Sequence, residues 1–165
     1  MSQYVLPHLL ETEVRALRDE QQVVDALYRF AAGQDLRRPE LFLSAFTADA
    51  QLDFTQSAQR LGANIPVMVG RAAIARILDT LAPLDTTHTV SNPRVELDGD
   101  QASLMALVEA QHVVRAVPYR YLLLKNVYEV LCVRNTGDWR IHSMVIRNIW
   151  YDGDPTVLFA GTVAP

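Results

Sequence analysis

Apolar residues in the first half of the chain recur at the three- and four-residue spacing of amphipathic helices. Asp19, with Gln22 three residues later, is typical of a helix start. Apolar positions follow at helical spacing, namely Val23, Val24, Leu27, Tyr28, Ala31 and Ala32. Gly33 then predicts the end of this helix, and residues 11–18 predict a short helix of their own.

Shorter elements follow before the middle of the chain. Pro39 suits the first turn of a second helix over residues 39–46. Residues 51–55 alternate between polar and apolar positions, which predicts a short strand. Residues 71–81 predict a third helix, whereas residues 56–69 show no regular pattern and predict a loop over the mouth of a cavity.

The second half of the chain alternates with the two-residue period of strands. Strands are predicted at 87–97, 101–116, 119–133 and 139–150. Asp98-Gly99-Asp100 is a tight hairpin signal, and Asn135 to Asp138 predicts another turn. Helices followed by a run of antiparallel strands predict an α+β fold, with the helices packed on one curved, mostly antiparallel sheet.

Composition narrows the class of protein. The 165 residues contain no repeat or linker, so we expect one domain, with an extended C-terminal arm over 153–165. Half of the residues are apolar and 21% are charged, which excludes a disordered chain. The net charge of −4 disfavours nucleic-acid binding, because a mildly acidic protein has no general electrostatic attraction for a phosphate backbone.

The apolar runs, the N-terminal residues and the cysteine content argue against further classes of protein, namely membrane-spanning, secreted and disulfide-bonded proteins. No apolar run reaches the ~18–20 residues of a membrane-spanning helix, and the N-terminus lacks the pattern of a secretory signal. We therefore expect a cytoplasmic protein with no membrane partner. Cys132 is the only cysteine, which excludes an internal disulfide and an all-cysteine metal site.

Three polar residues are predicted to point toward the apolar side of the sheet. His112 shares its strand face with Ala110 and Val108, and Asn126 and Tyr128 share theirs with apolar neighbours. Together they indicate a cavity lined in part by polar groups. The alternative is that each is a core polar group satisfied by a backbone partner.

Two further residues carry candidate acid–base chemistry. His88 lies near the start of the first long strand, and Asp35 follows Gly33 at the end of the first helix. A carboxylate gains nothing at the negative end of a helix dipole, so Asp35 is expected to have another partner. An ordinary loop aspartate remains the alternative, and composition alone does not choose between them.

The order of motifs resembles the SnoaL-like branch of the nuclear transport factor 2-like superfamily. The motifs are the strand Gln51-Leu52-Asp53-Phe54, the Gly70-Arg71-x-x-Ile74 helix, the Thr87-His88 strand, the Glu96-to-Asp100 hairpin and Thr136-Gly137-Asp138-Trp139-Arg140-Ile141. The resemblance covers about residues 10–152 and implies a cone-shaped α+β barrel. Because this fold hosts many activities, the fold alone does not give the function.

Within this superfamily the chain is similar to scytalone dehydratase and hexachlorocyclohexane dehydrochlorinase, lyases that use an Asp–His dyad. The resemblance places the dyad at Asp35 and His88 and a second active-site histidine at His112. It places Asn126 and Tyr128 near substrate-binding positions. Two tyrosines of scytalone dehydratase correspond to Gln34 and Phe54, so we expect a different substrate, with Tyr28 or Tyr128 serving in their place. An inward arginine of some relatives corresponds to Arg147.

The resulting hypothesis is a lyase of the dehydratase type that acts on a small apolar cyclic, polyketide-like or steroid-like substrate. His88 would be the general base, Asp35 would orient it, and His112 or Tyr128 would assist the leaving hydroxyl. Asn126 would hold a substrate oxygen. Apolar cavity candidates are Leu27, Phe30, Phe54, Val67, Met68, Leu124 and Trp150.

Other classes stay open at this point. An isomerase or polyketide cyclase could use the same groups, and a dioxygenase small subunit or a ligand-binding protein could share the fold. Asp35, His88 and His112 also match the donor set of a non-haem iron site, but they lack ligand spacing, and we expect neither metal nor cofactor. A homo-oligomer, trimer or dimer, is expected through the outward sheet face, at Met105, Leu107, Val113, Val127 and Leu131.

Overall fold

The computed structural model describes residues 5–159, apart from the side chains of residues 5–8, 135 and 159. Its helices are α1 (Val5–Asp35), α2 (Pro39–Ser44), α3 (Thr55–Arg60), α4 (Arg71–Ala75) and α5 (Ile77–Leu81). Its strands are β1 (Phe46–Asp53), β2 (Met68–Val69), β3 (Leu84–Asp98), β4 (Gln101–Val114), β5 (Tyr121–Asn135) and β6 (Asp138–Gly153). A 3-10 helix over Pro155–Phe159 follows.

The predicted α+β architecture is confirmed. The six strands form one sheet in the order β2-β1-β6-β5-β4-β3. Every pairing is antiparallel except the parallel pairing of β1 with β6. Buried and exposed residues alternate along β4, so one face of the curved sheet carries the core and the other faces outward.

The first helix differs from the prediction, because α1 is one continuous helix rather than two. Residues 11–18 contain neither glycine nor proline, so nothing interrupts the helix before Asp19. The Asp19 carboxylate accepts hydrogen bonds from the Arg134 guanidinium and from Trp139 Nε1, which ties α1 to the sheet. These contacts explain a buried acid at this position better than a helix cap does.

Gly33 lies inside α1 and does not end it. A Cβ built at Gly33 would lie 2.4 Å from the backbone nitrogen of Phe42 in α2. Glycine is therefore required by the close approach of two helices and not by a helix terminus. The prediction that Gly33 ends the helix is therefore wrong, and the glycine is explained by packing against α2.

Sheet pairing moves the boundaries of the short elements. The predicted helix over 39–46 ends at Ser44, and the next strand begins at Phe46, where Ile141 N donates to Ala45 O at 2.8 Å. The segment 56–69 contains α3 and β2 and is not a plain loop. The predicted helix over 71–81 is divided at Arg76 into α4 and α5.

The prediction of an extended C-terminal arm is wrong for residues 153–159. β6 continues to Gly153 and the 3-10 helix follows, so residues 153–159 are ordered against the sheet. Val157 is fully buried there. The remainder of the predicted arm, 160–165, lies outside the described residues. Within the described part of the chain, no helix has both the length and the hydrophobicity to cross a bilayer.

Candidate active site

A cavity of about 530 Å³ lies between the helical layer and the inner face of the sheet. This volume is in the range of small-molecule sites. The lining residues are Phe30, Gln34, Leu52, Phe54, Ser57, Ala58, Leu61, Ala63, Asn64, Ile65, Met68, Ile77, Thr80, Leu81, His88, Ala110, His112, Leu124, Asn126, Tyr128, Ile146 and Leu158. Most of these side chains are apolar, and none carries a formal charge when histidine is neutral.

Asp35 and His88 meet at this cavity although 53 residues separate them. His88 Nδ1 lies 2.7 Å from Asp35 Oδ1. The His88 side chain is 4% exposed and the Asp35 side chain is 18% exposed, so water screens the electrostatic attraction between them only weakly. A ring nitrogen that bonds a carboxylate carries the proton, which leaves Nε2 unprotonated in the neutral ring.

Strand β3 holds the Asp35 carboxylate at three points. The Thr86 hydroxyl donates at 2.8 Å to Oδ1, and the His88 backbone N–H donates at 2.7 Å to Oδ2. Burial works to raise the pKa of Asp35, but the hydrogen bonds and charge of His88, with Thr86, hold that pKa below its ordinary value. Asp35 is therefore an ionised hydrogen-bond acceptor with a fixed orientation.

His112 is adjacent to the dyad on β4. Its ring centroid lies 5.9 Å from that of His88, with the two planes at 84°. Burial, and then the neighbouring His88, lower the pKa of His112 from 6.5 to about 4, so its ring is neutral near pH 7. Nδ1 of His112 has no hydrogen-bond partner among the described residues.

Asn126 and Tyr128 form the polar part of the cavity on β5. Both side chains are buried, and burial raises the pKa of Tyr128, which keeps the phenol protonated. A hydrogen bond from Asn126 to Tyr128 opposes that rise. The Phe30 ring packs edge-on against both Tyr128 and His88, at centroid distances of 6.1 and 6.2 Å.

Five predicted site residues line this one cavity, namely His88, His112, Asn126, Tyr128 and Phe54. A sixth, Asp35, does not line the cavity but is hydrogen-bonded to His88. Phe30, Met68 and Leu124 also line it as expected. Leu27 does not, because it is fully buried in the core, and Val67 is 40% exposed.

Three predicted substrate-binding residues lie outside the cavity lining. Tyr28 is 48% exposed on α1, so it cannot replace the missing tyrosines. Arg147 is exposed, because it points to the opposite face of β6 from its buried neighbours Ile146 and Asn148. Its Nη2 lies 3.0 Å from Glu129 Oε2 in an ion pair. Trp150 is 47% exposed.

A β-bulge explains why Trp150 faces outward. In β6, Asn148 pairs with Asn126 and Trp150 pairs with Lys125, so Ile149 is an extra residue. An extra residue reverses the alternation of every side chain after it. Asn148 therefore points inward, whereas Trp150, which strict alternation places on the same face, points outward.

Sequence reasoning missed several polar groups at or near the cavity, including the lining residues Asn64 and Thr80. Ser57 lines it and donates from Oγ to Ile146 O at 2.8 Å, in a segment predicted to be an irregular loop. Asn148 is buried next to Asn126, and its Nδ2 lies 2.9 Å from Asn126 Oδ1. An asparagine within an otherwise apolar strand pattern was the available signal for Asn148.

No three histidine, cysteine, aspartate or glutamate side chains between residues 5 and 159 are grouped in a way that could hold a metal ion. Asp35, His88 and His112 approach one another, but the Asp35 oxygens are occupied by Thr86 and by the backbone and ring of His88. Asp35 and His88 are thus joined by hydrogen bonds, whereas His112 contacts His88 only ring to ring.

A helical layer on a curved sheet with an internal cavity is an α+β fold of the cystatin-like, nuclear transport factor 2-like type. The chain matches the SnoaL-like domain over residues 15–145. It is 31% identical to the terrestric acid biosynthesis cluster protein E of Penicillium crustosum over 147 residues, covering 84% of this chain and 88% of that protein. The chain belongs to the SnoaL-like domain family, which confirms the resemblance seen in its motifs.

Solved structures agree with the fold. A scytalone dehydratase-like protein of Novosphingobium aromaticivorans superposes with a TM-score of 0.72 and 17% identity, over 84% of this chain and 89% of that one. A type 3 hexachlorocyclohexane dehydrochlorinase of Novosphingobium barchaimii superposes with a TM-score of 0.73 and 18% identity, over 93% of this chain and 99% of that one. At these identities the likeness concerns the fold.

Proposed function

We propose that this protein is a lyase of the dehydratase type, which removes water from a small, uncharged cyclic substrate by acid–base chemistry of its own side chains. The observation that carries the proposal is the 2.7 Å contact between His88 Nδ1 and Asp35 Oδ1 at the wall of an apolar cavity. Relatives of similar fold that are named dehydratase and dehydrochlorinase support the same class of reaction.

His88 is the base in the proposed reaction. Its unprotonated Nε2 takes a proton from the carbon next to a substrate carbonyl, and the electron pair of that C–H bond forms an enolate. The ionised Asp35 stabilises the imidazolium that results and keeps its ring in position. The enolate then expels the hydroxyl group on the next carbon, which accepts a proton from the imidazolium and leaves as water.

The remaining polar groups bind oxygen atoms. Tyr128 stays protonated and His112 stays neutral, so both act by hydrogen bonding and neither supplies a full positive charge. The Asn126 amide and the Tyr128 hydroxyl face the carbonyl oxygen that becomes negative. His112 is left to hydrogen-bond the departing hydroxyl. The apolar remainder of the lining excludes water from the reacting atoms.

The proposal is tested with 3-hydroxy-1-tetralone, an uncharged bicyclic hydroxyketone whose loss of water gives 1-naphthol. Formation of 1-naphthol is followed by fluorescence. We expect turnover by the wild-type protein and a loss of ~10²–10⁴-fold in kcat for both His88→Ala and Asp35→Asn, because each removes positioned proton transfer. His142→Gln, a change at a histidine on the other end of the sheet, is the matched control and should keep wild-type turnover.

Two results would contradict the proposal. Wild-type rates in both dyad variants, with folding verified by circular dichroism, would exclude His88 as the base. Incorporation of deuterium from solvent without release of 1-naphthol would mean that the same dyad moves a proton without elimination, as an isomerase does.

A further inference from the structure

Asn148 is held inward by the bulge in β6. Its backbone N–H donates to Gln56 Oε1 at 3.2 Å, which fastens the bulge to the helical layer. Its side chain is 3% exposed and lies beside Asn126, directly across the β5–β6 pair. A buried amide is costly unless its hydrogen bonds are made. Oδ1 of Asn148 has no partner among the described residues, so the bonds of its Nδ2 group determine how the amide is held.

Two backbone carbonyls determine which way the Asn148 amide points. Its Nδ2 lies 2.9 Å from Trp150 O and 3.4 Å from Lys125 O. Carbonyl oxygens only accept hydrogen bonds, so the opposite orientation would place Asn148 Oδ1 against two acceptors. The Nδ2 group must therefore face this side, and its second strong contact is Asn126 Oδ1 at 2.9 Å.

The orientation of Asn126 follows from that of Asn148. Because Asn126 Oδ1 accepts from Asn148, the Nδ2 group of Asn126 points away from Asn148, and Asn126 lines the cavity. The result is a chain of donors that runs from a backbone-anchored amide to the polar part of the cavity.

We propose that Asn148 is a positioning residue that fixes the amide of Asn126 with its N–H groups toward the cavity, so that this subsite selects a ligand oxygen that accepts hydrogen bonds. The selected ligand is an uncharged carbonyl compound, because no lining residue carries a counter-charge for an anion. The inference rests on the proposed function only in identifying that carbonyl with the reacting one.

The orientation of Asn126 is measured without any substrate. Protein labelled with ¹⁵N on asparagine shows the side-chain amide of Asn126, which is assigned by its loss in Asn126→Asp. We expect both amide protons of Asn126 to exchange with water at least ~10-fold faster in Asn148→Leu than in the wild type, since leucine has the same branched shape but cannot donate the orienting bond. Unchanged Asn126 exchange in Asn148→Leu would overturn the proposal.

Selectivity is measured with two probes of the same shape. 1-Tetralone carries a carbonyl oxygen, whereas tetralin lacks it, and neither can eliminate water. Calorimetric titration should give at least ~10-fold tighter binding of 1-tetralone by the wild type, and that preference should fall several-fold in Asn148→Leu while tetralin binding stays the same. Equal binding of the two probes by the wild type, or no binding of either, contradicts the proposal.

Two further variants make the result specific. Arg147→Gln removes an ion pair from the outer face of the same strand pair and should keep both the exchange rate and the probe preference. Asn148→Ala, which frees space instead of filling it, replaces Asn148→Leu if that variant does not fold, and the same changes are expected. A merely structural role for Asn148 would lower the melting temperature but leave the probe preference intact.

The inference and the proposed function fail separately. If His88→Ala turns over 3-hydroxy-1-tetralone normally but Asn148→Leu loses its preference for 1-tetralone, the dyad mechanism is wrong and the subsite stands. If the dyad variants lose turnover but the preference does not depend on Asn148, the reverse holds.

Discussion

His112 combines a titratable ring with almost complete burial beside the dyad. Desolvation, followed by the nearby His88, lowers its pKa to about 4. In the proposed reaction a neutral ring at His112 avoids a second positive charge beside the imidazolium formed on His88. The same burial has an effect on stability that can be measured apart from catalysis.

We predict that the free energy of unfolding decreases as pH falls from about 6.5 to about 4, the ordinary and folded pKa values of His112. In this window the unfolded chain binds the proton and the folded chain does not, so acid favours unfolding. The shift corresponds to a loss of roughly 3 kcal/mol by pH 4.

Urea denaturation at several pH values checks this expectation. His112→Gln should flatten the curve within the window, whereas His142→Gln, whose wild-type side chain is 39% exposed, should not. Asp35, whose pKa is lowered, adds a loss of stability only at lower pH, as its carboxylate becomes protonated. A His112→Gln curve parallel to that of the wild type would show that His112 is not protected from protonation.

Single residues show why part of the site could be predicted from the sequence. Strict alternation placed His112, Asn126 and Tyr128 on the inner face, since β4 and β5 are paired without a bulge up to those positions. Asp35 was singled out by its poor fit to the helix dipole and by the resemblance. Its actual partners, Thr86 and His88, could not be derived from spacing because the contact depends on how α1 crosses β3.

At the scale of elements, the errors come from tertiary contacts that override local patterns. A two-residue sequence period cannot predict the bulge at Ile149. Because of this bulge Trp150, which was predicted to line the cavity, faces outward. The helical spacing of apolar residues predicted a helix as far as Phe46, but Phe46 is the first residue of β1. In both cases the backbone pairing of strands decided the outcome.

The junction of α1 and α2 provides a test of packing. We predict that Gly33→Ala lowers the free energy of unfolding by more than ~1 kcal/mol, because the new Cβ would lie within 2.6 Å of three Phe42 atoms. In an unobstructed helix the same change would stabilise by ~0.5–1 kcal/mol. Thermal denaturation gives the sign, and a rise in melting temperature would contradict the close approach of the two helices.

At the scale of the whole molecule, the charges lie outside the cavity. Ion pairs such as Lys125–Glu109 and Arg147–Glu129 lie on the outer face of the sheet. The ionised Asp35 lies behind His88, and the described lining contains no lysine, arginine, aspartate or glutamate. Burying an unpaired charge in such a cavity costs more than any contact there returns. The molecule is therefore expected to discriminate ligands by charge before it discriminates them by shape.

We predict that 1-naphthol binds at least ~100-fold more tightly than 1-naphthoate near neutral pH, where the second compound is an anion. Fluorescence titration measures both affinities. 1-Naphthamide, which is uncharged and close in shape to 1-naphthoate, is the control and should bind. Comparable binding of the anion would require a cation that the described lining does not contain.

Association of subunits stays a prediction at this scale. The outer sheet face exposes Met105 and Leu107, at 52% and 41%, as expected for a surface that a second copy covers. We expect Met105→Glu with Leu107→Glu to lower the molar mass measured by light scattering. An unchanged mass would place any oligomer interface elsewhere.

Part of the cavity lining comes from stretches of chain that take no part in the Asp35–His88 contact. Leu61, Asn64 and Ile65 follow α3, Thr80 belongs to α5, and Leu158 belongs to the C-terminal 3-10 helix. We expect each stretch to accept changed residues while Asp35 and His88 keep their supports in α1 and β3. A directed-evolution library restricted to these stretches is therefore expected to change which ligand is bound without disturbing that contact.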